Sequence, residues 1–391
     1  MKSLSVIALL FILASIAPAI VVEDNLTAAS PPFGDWDLNW DYVYNYRNSS
    51  AVAVGEYWLL TAAHVADDGG TGALTINGTT YLQQEIIVHA GTADPDNADN
   101  ADLALVRYDK PLSGFYDLYA GSFTTASELI LVGFGNTGAV FTASSGPGPP
   151  GPPVPDYYTD SGSGRGIRRW GTQDYNGGGT GSFTIDSLTT TNEVFAMRFV
   201  VGETPYEAGV GIGDSGGGSF IKDGDEWKLA GTIISRNGNA EETEFDFSIS
   251  VSVPAYTNWV LETMDSVTGD LDSDGIPNWW EEQFGTNIVE DADQDGDGFD
   301  GEQEYIADTD PTDGSSFFRI DGLMTAAQQT VTFDGSTARQ YQLLTATNDL
   351  ASTNFTWIDA GEPIWGEGPG TQITATNVEQ KVFYRLEAIL P

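Results

Sequence analysis

The sequence contains no cysteine. No disulfide can staple it, so core packing, with or without bound metal, must hold it together. Basic residues are scarce: Lys and Arg number 15 against 57 Asp and Glu, a formal net charge of −42. A phosphate backbone or an anionic membrane surface calls for a basic face, so this balance argues against both as partners. It favours divalent cations and solubility in salt. Histidine is nearly absent, with two in 391 residues, which leaves few candidates for acid–base chemistry near neutral pH. Past the N-terminal region no apolar run reaches the ~20 residues that a spanning helix needs, so no membrane insertion is expected of the mature form.

That N-terminal region is itself informative. Met1-Lys2 precedes an apolar run from Leu4 to Ile16, followed by Ala17-Pro18-Ala19. A basic start, a short hydrophobic core and small residues before a cut after Ala19 read as a secretory leader. The expectation is a signal peptide over 1–19 and an extracellular or periplasmic protein. The remaining length suits two or three domains.

The rest is organised around Gly211 to Gly218, which reads Gly-Ile-Gly-Asp-Ser-Gly-Gly-Gly. Small neighbours let a substrate carbonyl approach Ser215. Glycine at 213 lets the amides of Gly213 and Ser215 point at one spot, where an oxyanion would form. A serine hydroxyl needs a base. His64, in Thr61-Ala62-Ala63-His64, is the candidate; His89 lacks that context and reads as a loop or packing histidine. Asp102 opens the apolar run Asp102-Leu-Ala-Leu-Val, where a buried carboxylate needs a partner such as an imidazole N–H. Asp94, Asp96 and Asp99 lie in a polar loop and are expected to be solvated.

These three segments, in the order His, Asp, Ser, resemble the trypsin/chymotrypsin family of serine proteases over about residues 33–265. The resemblance implies a mainly β fold with two six-stranded antiparallel β-barrels. It implies a protein or peptide substrate, a catalytic triad of His64, Asp102 and Ser215, and no cofactor for catalysis. Gly133-Phe134-Gly135 is similar to the stretch that opens the second barrel, and Val253 to Val260 to the closing helix. The floor of the P1 pocket then falls at Gly209, beside Val210, and its wall at Ser235-Arg236-Asn237. With no carboxylate at the floor, selection of Arg or Lys is not expected; a small or apolar P1 residue is. Arg236 would favour acidic or polar residues. Asp214 either hydrogen-bonds within its loop or receives the amine of Ile20 freed by cleavage. A Gly/Pro-rich stretch over 146–155 reads as an extended surface insertion. Arg165, Arg168 and Arg169 form a basic knot expected to pair with carboxylates. The alternative reading is a non-catalytic secreted adhesion or binding protein that keeps a protease-like barrel.

From Asp270 to Asp313 the chain has many carboxylates and no Lys or Arg. Asp270, Asp272, Asp274, Asn278 and Glu281 occupy positions 1, 3, 5, 9 and 12 of a calcium loop, with glycine at 6 and Ile276 offering its carbonyl at 7. Asp293, Asp295, Asp297, Phe299 and Glu304 repeat the pattern. Alternating oxygen ligands suit a hard cation, here structural Ca2+. Between the loops Ile276 to Phe284 reads as a short helix. The pair resembles the calcium-binding repeats of thrombospondin type 3 and dockerin-like modules. Residues 317–391 alternate like strands and suggest a small antiparallel β domain with a surface or matrix ligand. The expected boundaries are 20–268 for the protease-like domain, 269–314 for the calcium linker and 315–391 for the accessory domain.

Overall fold

The computed structural model describes residues 20–22, 30–89, 100–141, 157–159, 165–185, 188–238, 245–285, 288–325, 329–346, 356–375 and 383–391. The leader over 1–19, the Gly/Pro stretch over 146–155 and Asp94, Asp96 and Asp99 lie outside the described residues. No helix among the described residues is long and apolar enough to cross a membrane.

The chain opens with β1 (Val21–Val22), β2 (Val43–Tyr46), β3 (Ser49–Gly55), β4 (Trp58–Thr61) and the single turn α1 (Ala63–Ala66). Then come β5 (Leu74–Ile76), β6 (Thr79–Tyr81), β7 (Gln83–Val88) and β8 (Ala104–Tyr108). The next strands are β9 (Glu128–Gly133), β10 (Ala139–Phe141), β11 (Tyr157–Thr159), β12 (Arg169–Ile185) and β13 (Leu188–Arg198). After them run β14 (Ala208–Gly209), β15 (Gly218–Asp223), β16 (Glu226–Gly238) and β17 (Phe245–Ser252). Helix α2 runs from Val253 to Thr268, two turns beyond the expected Val260.

The contacts divide the chain into two compact units, and the division is not linear. One unit holds the residues up to 74 with 85–106 and 113–257; the other holds 75–84, 107–112 and 258–391. Aromatic–cation contacts tie the two short inner segments into the second unit. The Arg107 guanidinium lies 4.9 Å from the Trp279 ring, and the Lys110 ammonium 5.5 Å from Trp365 and 6.0 Å from Tyr81.

In the first unit, strands β9, β12, β13, β17, β16 and β15 pair antiparallel in that order, and β15 returns to β9. This closed ring of six matches one expected barrel and has no free edge to protect. Its interior collects alternate residues, as a pleated strand dictates: Leu129 and Leu131 from β9, Phe195 and Met197 from β13. Ile20 joins the same cluster, while Val21 pairs with Gly209. The other expected barrel differs. Strands run β2-β3-β4-β8-β7 in one open five-stranded sheet, and β5-β6 form a separate two-stranded sheet. The β5–β6 turn is the one the Asn77-Gly78 pair specifies, with φ of +50° and +86°.

The second unit holds α3 (Asn278–Phe284) and α4 (Gly301–Ala307). Trp280 is fully buried with Ile276 and Ile288, so the acidic segment has a core of its own. Strands β18 (Ile320–Thr325), β19 (Gln329–Gly335), β20 (Gln340–Ala346), β21 (Ile358–Asp359), β22 (Ile364–Trp365), β23 (Gly368–Thr374) and β24 (Phe383–Ile389) follow. They form a β18-β19-β23 sheet and a second sheet in which β20 pairs with β21, β22 and β24. Phe333, Tyr341, Leu343 and Ile373 share one core.

Phe195 is 1 % exposed and sits against Phe123 at 4.7 Å inside the closed ring. Phe195→Ala is expected to cost about 3–5 kcal/mol of stability, the range for a buried phenylalanine replaced by a cavity. Denaturant unfolding of the two proteins checks this.

Candidate active site and acidic loops

His64 lies on α1, directly after the fully buried strand β4. The guanidinium of Arg47 donates to the Ala66 carbonyl at 2.7 Å, satisfying an orphan acceptor at the end of that turn. Asp102 comes two residues before the buried strand β8 and is 1 % exposed. One of its oxygens, Oδ2, accepts from His64 Nδ1 at 2.7 Å, and the other from the His64 backbone N–H at 2.9 Å. A carboxylate only accepts, so Nδ1 carries the proton and Nε2 is left as the basic nitrogen. His89 is not part of this arrangement. Its Nδ1 accepts from the Ala101 amide at 3.1 Å and its ring packs edge-on to Tyr256.

The loop carrying Ser215 is fixed peptide by peptide. The plane that holds the Gly213 N–H has its carbonyl, Ile212 O, bonded by the Asn136 amide at 2.7 Å. The plane that holds the Ser215 N–H has its carbonyl, Asp214 O, bonded by the Gly217 amide at 2.8 Å. Ser50 then ties down the next carbonyls: its Oγ donates to Gly213 O at 3.1 Å and its amide to Ser215 O at 3.0 Å. Gly213 and Gly216 have φ of +94° and +82°, a left-handed backbone that an L side chain rarely adopts. Asp214 is fully buried and accepts from the amides of Gly135 and Gly211, both at 2.7 Å. Burial pushes its carboxyl up to about 7, against the pull of those two amides and of Arg169 and Arg236. The expected hydrogen bonding of Asp214 within its loop is present, from the Gly211 amide.

His64, Ser215 and Gly213 line a common cleft of about 320 Å3, joined by Val210, Ser235 and Arg236. Gly209 and Asn237 do not line it. A Cβ on Gly209 would run into the Tyr158 ring, so that residue faces packed interior and not the cleft. The wall runs from Ile233 to Arg236, so Ser235 and Arg236 of the expected wall line the cleft and Asn237 does not. β16 carries a bulge in this stretch: Ile233 pairs with Ser250 but Ser235 with Ile249, so two residues of β16 span one step of β17. Of the basic knot, Arg168 pairs with Asp41 at 2.7 Å and stacks on Trp40, whereas Arg165 lines the cleft and reaches Ser49 Oγ at 3.3 Å.

One supporting residue was not apparent from sequence. Asn192, on β13 and fully buried, accepts the Asp102 backbone N–H at 2.6 Å and donates to Thr190 Oγ1 at 2.9 Å. Its neighbour Thr191 donates to Asn100 O at 3.0 Å. The long β12–β13 hairpin of the closed ring therefore holds the loop of Asp102. By strand alternation Asn192 falls on the face opposite Phe195 and Met197, so no inward pattern marked it.

In the second unit, carboxylate oxygens of Asp270, Asp272 and Asp274 lie within 4.8 Å of one another, as do those of Asp293, Asp295 and Asp297. The two loops bond alike. Asp270 accepts from Gly275 N–H and Asp274 from Ile276 N–H; Asp293 accepts from Gly298 N–H and Asp297 from Phe299 N–H. Ser273 and Gly296, then Gly275 and Gly298, have positive φ at matching positions. Glu304 is 1 % exposed and its Oε2 has no hydrogen-bond partner. Burial, and then Asp295 and Asp297, push its carboxyl up to about 7. In the first loop the side chains of Asn278 and Glu281 accept from the amides of Leu271 and Ile288.

Replacing Asn192 by Ala leaves the Asp102 N–H buried without an acceptor. Such a group costs about 1–3 kcal/mol, and a lower thermal midpoint for Asn192→Ala is the expected result.

No curated protein sequence matches the chain. A family model does: the one described as Trypsin matches residues 34–260, a span that contains His64, Asp102 and Ser215. With more than half of its length in that match, and a buried His–Asp pair at the site, the chain belongs to the trypsin family of serine proteases.

Proposed function

We propose that the protein is a secreted serine endopeptidase that uses His64, Asp102 and Ser215. The observation that carries this reading is the buried His64–Asp102 pair at 2.7 Å, opening on the same cleft as Ser215. His64 Nε2 takes the Ser215 proton as Oγ attacks the scissile carbonyl. Asp102 holds the ring and stabilises the imidazolium. The amides of Gly213 and Ser215, on peptide planes pinned at their carbonyl ends, receive the oxyanion. The proton on His64 passes to the leaving amine. A water, activated by the same imidazole, then hydrolyses the acyl-enzyme. The leader over 1–19 is the support for export.

The acidic loops are proposed to hold two structural calcium ions. A buried carboxylate oxygen without a donor, beside two further carboxylates, fits a hard cation. Asp293, Asp295, Asp297 and Glu304 would hold one ion, with the Phe299 carbonyl; Asp270, Asp272 and Asp274 would hold the other, with the Ile276 carbonyl, Asn278 and Glu281. Bound calcium supplies positive charge that offsets carboxylate repulsion and stiffens the segment.

Two measurements check these readings. A fluorophosphonate probe is expected to label the wild-type protein and not Ser215→Ala; an unlabelled wild type would contradict the enzyme reading. For calcium, a site held at 100 Kd adds about 2.7 kcal/mol of stability. Chelation is therefore expected to lower the thermal midpoint of the second unit, and an unchanged midpoint would contradict the two-ion reading.

A further inference from the structure

The second unit holds a pocket of about 610 Å3 that shares no residue with the catalytic cleft. Strand β6 contributes Thr79 and Thr80 to it, and β22 and β23 contribute Trp365 and Gln372. Lys110, two residues past β8, also lines it and is 3 % exposed. An ammonium has three donors to satisfy. Among the described residues this one makes a single hydrogen bond, to Asp109 Oδ2 at 2.7 Å. The rings of Tyr81 and Trp365 stabilise its charge but supply no oxygen acceptor. Two N–H donors of a buried side chain are left over beside the pocket.

The rest of the lining adds polar groups and one flat ring. Thr80, Glu367 and Gln372 are exposed, and among the described residues their side chains make no hydrogen bond within the chain. They hold water that a ligand's hydroxyls can replace. Trp365 is half-buried, so part of its indole opens on the pocket, and the exposed Leu82 extends the apolar surface. Lys110 and Glu367 are the only charged residues of the lining, and Lys110 is matched by Asp109. An anionic ligand would find no unmatched cation here, in a chain of formal net charge −42. A wholly apolar ligand would leave the Lys110 donors unmet, at a cost in desolvation. A sugar ring answers both demands. Its C–H face packs on the negative face of an aromatic ring, and its hydroxyls both accept and donate.

We propose that this pocket binds a neutral sugar residue of a glycan, stacked on Trp365, with hydroxyls that accept from Lys110 and bond to Gln372 and Glu367. The site is independent of the chemistry at Ser215. A polysaccharide and the glycan of a glycosylated protein present the same ring, and the test separates these two sources.

The full-length protein is run in native gels that contain a soluble neutral polysaccharide (a glucan, mannan, galactan or xylan), with polygalacturonate as the anionic comparison; retardation against polysaccharide concentration gives Kd. In a second arm Ser215→Ala protein, which leaves its target uncut, is offered an immobilised glycoprotein with neutral glycans, before and after enzymatic removal of those glycans. The expected result is binding to at least one neutral glycan. Kd is expected to rise about tenfold or more in Trp365→Ala and about threefold or more in Gln372→Ala, a change at an exposed position. Retardation by a neutral polysaccharide supports the proposal with a matrix as the source, and binding lost on deglycosylation supports it with a protein as the source. Binding in neither arm overturns it, as does binding to polygalacturonate alone. An unchanged Kd in Gln372→Ala and in a folded Trp365→Ala overturns the assignment to this pocket.

Discussion

The grip of Asp102 on His64 is the interaction on which the site depends. The carboxylate holds the ring through Nδ1 and the backbone through the amide, so both the position and the tautomer of the imidazole are set by one buried group. Burying a carboxylate is costly unless its oxygens are bonded. Here each oxygen has a donor on His64, and the residue's own N–H is taken by Asn192. The segment that bears Asp102 is therefore bonded both to α1, beside the open sheet, and to the hairpin of the closed ring. Ser215 is placed by the same means. Ser50, on β3, bonds Gly213 and Ser215, while Gly216 and Gly217 bond across to Ile233 of β16. Catalytic geometry in this unit is a property of hydrogen bonds between two sheets, made without any cysteine.

Much of this was legible in the sequence because the chemistry needs local context. Ala62-Ala63-His64 leads into α1 with small residues, and all of α1 is buried. Gly213 and Gly216 announce the positive φ that they adopt. Asn77-Gly78 specifies its turn, and the alternating acids of the two loops specify a repeated backbone with matching bonds. Ile276 and Trp280 mark the small core that an acidic linker would lack.

What was not legible is relational. Nothing near Asn192 reveals that its side chain meets an amide 90 residues earlier in the chain. A bulge inserts one residue without leaving a motif, and of the expected wall Ser235 and Arg236 line the cleft while Asn237 does not. That Gly209 faces packed interior depends on Tyr158, whose strand β11 is itself far away in sequence. The linear boundary near residue 268 could not anticipate that 75–84 and 107–112 group with the C-terminal residues. That grouping reflects Arg107 on Trp279 and Lys110 on Trp365, pairs that no periodicity signals.

The central claim is that a buried carboxylate sets the imidazole for its reaction with Ser215. Acylation of Asp102→Asn by an activated ester, compared with the wild type across pH, tests it most directly. Asparagine keeps the shape but presents the wrong partner to Nδ1, and the account predicts a rate lower by on the order of 10^4-fold near neutral pH. A variant that acylates within about tenfold of the wild type, a barrier change of only ~1.4 kcal/mol, would contradict it.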